Sequence, residues 1–322
     1  MNRCSLFHVT EFTYDGPVSE SYNEVRLRPR QDDQQTCLSF RLSTDPPAKA
    51  SAYHDPYGNW VHRFNVLAEH RHLRVEAESA VLVHQPPALP DNGMALSELA
   101  EQANALDEYY DLLCPTVYVP HLTDVWELVE SAERESGGSV SGFARAAASL
   151  VNSQFRYEKG ATHVQSSIED VLETRAGVCQ DFAHLLLAVL RMRGLPARYV
   201  SGYLVPISAA GDSGSRTAEI IGGQASHAWT EVYLPGEGWF GLDPTLGQPV
   251  DLRHVRVAYG RDYGDVAPVR GVYKGHAGQR LSVDVRVRPS VDEDGREHLQ
   301  ETAAGPSLAP PVDEPPQQQQ QQ

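Results

Sequence analysis

One stretch of the 322-residue sequence, residues 174–243, constrains the fold more than any other. Apolar residues follow Cys179 at the spacing of one helical stripe. They are Phe182, Leu185, Leu186, Val189 and Leu190. Gly194 and the following Leu195-Pro196 end this stripe, because glycine accepts the left-handed conformation and proline cannot continue a helix. The sequence therefore predicts a helix whose first turn carries Cys179.

A cysteine in the first turn of a helix has surroundings that suit a nucleophile. The backbone N–H groups there and the positive end of the helix dipole favour a thiolate over a thiol. The same N–H groups can bind the oxyanion of an acyl-transfer intermediate. Considered by position alone, however, a helical cysteine is more often a small buried apolar residue. The functional interpretation therefore depends on whether the sequence also offers a base.

A predicted β-hairpin supplies both a base and a carboxylate. His227 opens a run of β-forming residues, a turn follows at 235–238, and a second short strand ends at Asp243. A thiol nucleophile needs a base, and the base needs a carboxylate that fixes its tautomer. Pairing of Leu234 with Trp239 would place Asp243 on the opposite face from His227. A catalytic pair therefore requires an odd-length loop or a bulge.

Three blocks of this stretch resemble the bacterial branch of the transglutaminase-like superfamily, a papain-like group of Cys-His-Asp enzymes. The blocks are GVCQDF at 177–182, SHAW at 226–229 and GWFGLDPT at 238–245. The resemblance implies that Cys179 is the nucleophile, His227 its base and Asp243 the residue that orients the base. It implies no cofactor and no metal. The phrases RLRPR at 26–30 and DPYGN at 55–59 resemble the N-terminal domain that precedes this core in bacterial members.

The pattern along the chain predicts an α+β protein with two domains. Residues 1–88 carry short alternating strands and are predicted to form a β-rich, sandwich-like domain. A helical linker is expected at 89–122. The papain-like, transglutaminase-like core, with helices packed on an antiparallel sheet, is expected at 123–288. The Pro-, acid- and Gln-rich residues 289–322 are expected to be disordered, because they lack the apolar groups that a core requires.

Composition argues against two classes of partner and indicates a compartment. The formal net charge of −16 and the pI of about 5.2 disfavour nucleic acid and anionic membrane surfaces. The four cysteines form no CxxC pair, so free thiols in a reducing compartment are expected rather than a thiolate metal site. The N-terminal residues lack the apolar core of a signal peptide, and no segment approaches the ~18 apolar residues of a membrane span. The sequence therefore predicts a cytoplasmic protein.

Other residues of the stretch have plainer interpretations. His184 lies about 140° around the helix from Cys179 and is predicted to be a core or surface residue. The remaining histidines other than His227 show no paired signal, that is, no partner residue at a spacing that would indicate catalysis or metal binding. Asp181 is expected to serve the helix dipole. Trp229 is expected to pack in the core. Gln224 is a candidate oxyanion donor, and the polar segment 259–268 resembles a family segment and is placed near the cleft.

The sequence predicts an enzyme that attacks the amide carbonyl of a peptide or of a glutamine side chain through a thioester. Hydrolysis, as in a protease or amidase, is favoured because bacterial relatives are regarded as peptidase-like. Transglutamination is the alternative, in which a second amine takes the acyl group. The resemblance also implies a link to ATP-grasp peptide ligases. Two non-enzymatic interpretations stay open, namely a catalytically silent binding module and a scaffold built on the N-terminal domain and the acidic tail.

Overall fold

The computed structural model describes residues 1–91, 93–160, 167–206 and 226–289, with the backbone alone for 100–107. The strands are β1 (Asn2–Val25), β2 (Gln35–Asp45), β3 (Ser51–His54), β4 (Trp60–Val66), β5 (His70–Val83), β6 (Arg156–Tyr157), β7 (Ala176–Gly177), β8 (Ala197–Leu204), β9 (Ser226–Leu234), β10 (Gly238–Asp243), β11 (Gln248–Pro249), β12 (His254–Gly260), β13 (Val269–Lys274) and β14 (Gln279–Pro289). The α-helices are α1 (Trp126–Glu135), α2 (Val140–Gln154), α3 (Ile168–Thr174), α4 (Cys179–Met192) and α5 (Tyr263–Val266). Two 3-10 helices cover Leu96–Leu112 and Thr123–Val125.

In the described part of the chain, the N-terminal domain is one curled antiparallel sheet of seven strands organised on the long strand β1. The first half of β1 lies between β5 and β14, and its second half lies between β4 and β13. The outer strands β2 and β3 pair with β5 and β4. Side chains on β5 alternate between buried and half-buried along most of its length, which is the period-2 pattern of a strand with one face in a core. The predicted α+β class with a β-rich N-terminal domain is confirmed.

The last two strands belong to a different sheet from the one that the sequence suggested. Residues 123–288 were expected to form the core, but β13 and β14 hydrogen bond to β1 in the N-terminal sheet, with Pro289 opposite Cys4. The sequence from Leu281 to Val287 alternates between apolar and polar residues, which predicts a strand, but this pattern contains no information on which sheet edge the strand joins. The expected helical linker at 89–122 contains a 3-10 helix. The expected disordered tail lies outside the described residues from position 290 onward.

Among the described residues, the second half of the protein contains a five-stranded antiparallel sheet with the order β11-β10-β9-β8-β12. Helices α1, α2 and α4 pack together, and α4 lies against β8 and β9. The Thr230 hydroxyl on β9 donates to the Ala183 carbonyl on α4 over 3.2 Å. Every residue of α4 from Asp181 to Arg191 is buried, so the helix is enclosed all round rather than on one stripe. The predicted arrangement of helices on an antiparallel sheet is confirmed.

Both ends of α4 are fixed by local chemistry. At its C-terminus Gly194 has φ of +85°, and its N–H and that of Leu195 donate to the carbonyls of Arg191 and Leu190. This is a Schellman motif, as the Gly-Leu-Pro sequence predicts. At its N-terminus the Val178 N–H donates to the Asp181 carboxylate over 2.8 Å. The start of α4, and with it Cys179, is therefore held in a defined position.

The N-terminal domain also binds one edge of the core sheet, which β12 forms among the described residues. The Gln35 side-chain amide accepts from Arg256 N–H and donates to Arg256 C=O, both over 2.8 Å. The Asn59 amide does the same for Tyr259, over 2.8 Å and 2.6 Å. Both amides are fully buried. They take the place of a neighbouring strand, because backbone donors and acceptors that are shut off from water require partners.

Within the described residues, the helices are too short or too polar to cross a lipid bilayer.

Candidate active site

Cys179 is the first residue of α4 and is half-buried. The short strand β7 leads into it and pairs in parallel with β6, so that Tyr157 lies opposite Gly177. Burial raises the pKa of Tyr157, and the neighbouring Cys179 and Asp181 raise it further. The Tyr157 phenol therefore keeps its proton beside the thiol and can donate a hydrogen bond.

The register of the hairpin brings His227 and Asp243 together. Leu234 pairs with Gly238, which leaves a loop of three residues at 235–237, and Leu242 pairs with Thr230. This odd-length loop satisfies the condition set by the sequence, because continuing the register places Asp243 two residues from the position opposite His227 and on the same face. His227 Nε2 lies 2.7 Å from Asp243 Oδ2, with both side chains buried. The turn requires positive φ at Gly236 and Gly238, which are +78° and +102°.

The electrostatics of this pair favour an imidazolium beside a carboxylate. Burial by itself lowers the pKa of His227, but the charge and hydrogen bond of Asp243, together with Cys179, outweigh it and raise the pKa to about 10. Burial by itself raises the pKa of Asp243, but His227 and His254 hold it well below its usual range. The other ring nitrogen of His227, Nδ1, has no hydrogen-bond partner within the described part of the chain. Because Nε2 is engaged by Asp243, Nδ1 is the atom that can serve the adjoining thiol.

Asp243 has two further sets of partners. Its Oδ1 accepts from the N–H groups of Thr245 and Leu246, over 2.9 Å and 3.1 Å. Its Oδ2 also lies 3.1 Å from Nε2 of His254, the first residue of β12. No pattern in the sequence assigned a role to His254, and its position near Asp243 corrects the expectation that the remaining histidines show no paired signal. No local motif identifies His254, since the turn and crossing between β10 and β12 determine where its ring lies.

The atoms of His227, Asp243 and His254 that could bind a metal all lie within 4.8 Å of one another. Two of the distances between them, 2.7 Å and 3.1 Å, are hydrogen-bond distances. Shared protons therefore account for the arrangement of the three side chains without an ion.

The other residues considered from the sequence fall into structural roles. His184 is buried and its Nε2 accepts from the Tyr263 N–H over 3.1 Å, while burial and then Arg191 lower its pKa to about 3. This contact attaches α5, in the segment expected near the cleft, to α4. Trp229 is fully buried and packs with Val200 and Tyr259. Gln224 lies outside the described residues.

The ion pair makes stability depend on pH with a sign that can be measured. His227 holds its proton up to about pH 10 in the folded protein but loses it near its ordinary pKa of about 6.5 when unfolded. Its stabilising contribution is complete below about pH 6.5 and is lost as the pH rises toward 10. Between pH 7 and 8.5 we expect the free energy of unfolding to fall by about 1 kcal/mol per pH unit. Urea unfolding at several pH values measures this slope.

Asp243→Asn is the matched variant, because it keeps the shape of the side chain and removes the charge. Without the carboxylate, burial lowers the pKa of His227, so the folded and unfolded chains are both neutral at this ring above pH 7. The free energy of unfolding of the variant should therefore change less between pH 7 and 8.5 than that of the wild type. Parallel profiles in the two proteins would contradict the ion pair.

Comparison with known proteins places this geometry in a family. Residues 4–82 match the bacterial transglutaminase-like N-terminal region, and residues 128–244 match the transglutaminase-like superfamily core. An uncharacterized protein of Mycobacterium bovis is 37% identical over 297 residues, which cover 89% of this chain and 93% of that protein. A protein-glutamine gamma-glutamyltransferase of Pseudomonas aeruginosa is 36% identical over 80 residues, 24% of this chain and 11% of that protein.

A solved structure gives the same fold over nearly the whole chain. It is the crystal structure of a candidate cysteine protease from Cytophaga hutchinsonii, with a TM-score of 0.66 and 22% identity, covering 90% of this chain and 92% of that one. The segments that match the two family descriptions span both domains and include the positions of Cys179, His227 and Asp243. The chain belongs to the transglutaminase-like superfamily, in the form that carries the bacterial N-terminal region.

Proposed function

We propose that this protein is a cysteine-dependent acyl-transfer enzyme that hydrolyses amides in peptides or glutamine side chains. The observation that carries the proposal is the array at the start of α4, where a half-buried thiol adjoins His227 and the other side of that ring is fixed by Asp243 over 2.7 Å. A nucleophile, a base and a group that orients the base are the three parts that acyl transfer by a thiol requires. The proposed roles are Cys179 as nucleophile, His227 as base and then acid, and Asp243 as the orienting residue.

The proposed reaction has two stages. In the first, the imidazolium proton on His227 Nδ1, which comes from the Cys179 thiol, passes to the leaving nitrogen as Cys179 Sγ forms a bond to the amide carbonyl carbon. The C–N bond then breaks, which leaves an acyl thioester and a free amine. In the second stage water attacks the thioester, His227 takes a proton from it, and the thiol is restored as the acid leaves. The backbone N–H groups at the start of α4 and the protonated Tyr157 phenol are the candidate donors to the oxyanion.

Transglutamination is the second candidate, because a protein-glutamine gamma-glutamyltransferase is among the similar proteins. Its first stage is the same, and the acceptor in its second stage is a primary amine instead of water. The two reactions differ only in which nucleophile reaches the thioester. We place the enzyme in the cytoplasm, and its four cysteines, all without disulfides, support that location.

Capture of the thioester tests the proposal directly. The protein is incubated with a peptide pool, quenched in acid and mapped by mass spectrometry, with and without a labelled primary amine. We expect a hydroxylamine-sensitive adduct on Cys179 and none on Cys114. Release of acid in the presence of the amine indicates hydrolysis, and incorporation of the amine indicates transglutamination.

A control measurement addresses the non-catalytic alternative. Iodoacetamide should alkylate Cys179 faster than the half-buried Cys114. Equal rates, together with no adduct from any peptide, would favour a binding module over an enzyme.

A further inference from the structure

The Asp243 carboxylate is held by two histidines rather than one. His227 and His254 both place Nε2 at hydrogen-bond distance from the same oxygen, Oδ2, at 2.7 Å and 3.1 Å. The other oxygen is taken by two backbone N–H groups. All three side chains are nearly inaccessible to water, so these four donors are what stabilises the buried charge. Among the described residues, removing His254 would leave Oδ2 with His227 as its only donor.

The contacts of His254 determine which of its nitrogens carries the hydrogen. Its Nδ1 lies 3.1 Å from both the Asp251 N–H and the Asp251 carboxylate. On this side either neutral tautomer fits, because Nδ1 can accept from the N–H or donate to the carboxylate. On the other side Nε2 faces the ionised Asp243 carboxylate, which only accepts, so the tautomer that satisfies both sides carries its hydrogen on Nε2. His254 is therefore a donor to the Asp243 carboxylate.

Aromatic packing also restrains the ring of His254. Trp229 packs against this ring edge to face, with ring centroids 5.1 Å apart. The strand that carries His254 is β12, whose outer edge is bound by the amides of Gln35 and Asn59 from the N-terminal domain. The N-terminal domain thus holds the strand from which His254 reaches the site.

We propose that His254 is a positioning residue of the site: its Nε2–H fixes the Asp243 carboxylate so that Oδ2 faces His227, and the N-terminal domain, through Gln35 and Asn59, holds His254 in place. The catalytic consequence rests on the proposed function. The hydrogen bonds of both histidines to Asp243 Oδ2 do not depend on that function. The N-terminal domain then takes part in the chemistry of the core, since it fixes a residue that acts on the site through Asp243.

The test uses three variants of the full chain. His254→Phe keeps a ring of similar size and removes the donor. His254→Gln keeps an N–H donor on a flexible side chain. His70→Gln is the control, because His70 is a buried histidine in the N-terminal sheet that bonds to the Ala68 carbonyl. Thermal melting first confirms that each variant is folded.

Two readouts are measured on each variant, the iodoacetamide rate at Cys179 and the imidazole ¹⁵N signals of His227. With His254→Phe we expect the alkylation rate to fall about tenfold, the effect of losing one hydrogen bond to a charged group, and the His227 signals to move. With His254→Gln both should return most of the way to the wild type. His70→Gln should leave both unchanged.

The outcomes separate this proposal from the enzymatic one. Unchanged alkylation and unchanged His227 signals in His254→Phe would overturn the positioning role and leave the proposed function intact. If His254→Gln lowers the alkylation rate and shifts the His227 signals as much as His254→Phe does, the ring and not its hydrogen determines both readouts, and the proposal is wrong. If wild-type Cys179 reacts no faster than Cys114, the proposed function fails, whereas a shift of the His227 signals in His254→Phe still supports the positioning role.

Discussion

Replacing Cys179 by alanine should reduce the release of amine from amide substrates by at least roughly a thousandfold, because in the proposed reaction the acyl intermediate forms on its sulfur. The same change should alter the free energy of unfolding by less than about 1 kcal/mol. It removes one sulfur atom from a half-buried position at the start of α4 and keeps the helix intact. A panel of fluorogenic peptide amides measures the first quantity, and urea unfolding measures the second.

Cys114→Ala is the matched control for this experiment. Cys114 is also a half-buried thiol, but it follows the 3-10 helix Leu96–Leu112 and lies outside the array that His227 and Asp243 form with the start of α4. Its loss should leave turnover unchanged. Comparable losses in the two variants would show that the assay detects a general effect of thiol removal, and the nucleophile would have to be sought elsewhere.

Ending the chain after Pro268 should destabilise the whole protein, although the proposed catalytic residues all precede that point. The truncation removes β14, which pairs with β1 at eleven positions, and β13, which pairs with it at five. At roughly 0.5–1 kcal/mol of net stability for each paired position, the loss is on the order of 10 kcal/mol. That is comparable with the full stability of a typical domain. The buried side chain of Val287 is lost as well. Thermal melting and limited proteolysis measure the effect.

Ending the chain after Pro289 is the control, since it keeps both strands and removes only the Pro-, acid- and Gln-rich residues 290–322. Their composition predicts no change in melting temperature or turnover. If both truncations melt alike, the pairing of β13 and β14 with β1 contributes little. If the shorter deletion alone lowers the melting temperature by several degrees, the tail binds the folded domain.

Shared packing explains why damage to the N-terminal sheet should reach the core. Cys4, Leu6 and Val83 of the N-terminal sheet lie in the same buried cluster as the apolar residues of α4. Together with the amide contacts of Gln35 and Asn59 to β12, this makes the two domains a single packed unit. A fragment of the N-terminal residues alone would lack β13 and β14 and would expose this apolar surface.

The sequence by itself determined the parts that depend on neighbouring residues. The helix after Cys179 follows from its apolar residues and its Gly-Leu-Pro end, and the hairpin follows from its β-forming runs and its turn. The sequence also specified what the pairing of His227 with Asp243 requires. Side chains alternate with period 2, so only an odd-length loop or a bulge places these two residues on one face. The resemblance of the three blocks then indicated the nucleophile, the base and the orienting carboxylate.

Only the tertiary structure decided which distant segments meet. The alternation of β14 predicts a strand, but its partner β1 lies more than 260 residues earlier in the chain, and no local pattern specifies that edge. The contact of His254 is equally unpredictable from local sequence. Its ring reaches Asp243 only because the chain crosses from β11 to β12 and the N-terminal amides hold β12. Local sequence determines conformation through short-range sterics and hydrogen bonding, whereas these contacts depend on how whole sheets and helices pack against one another.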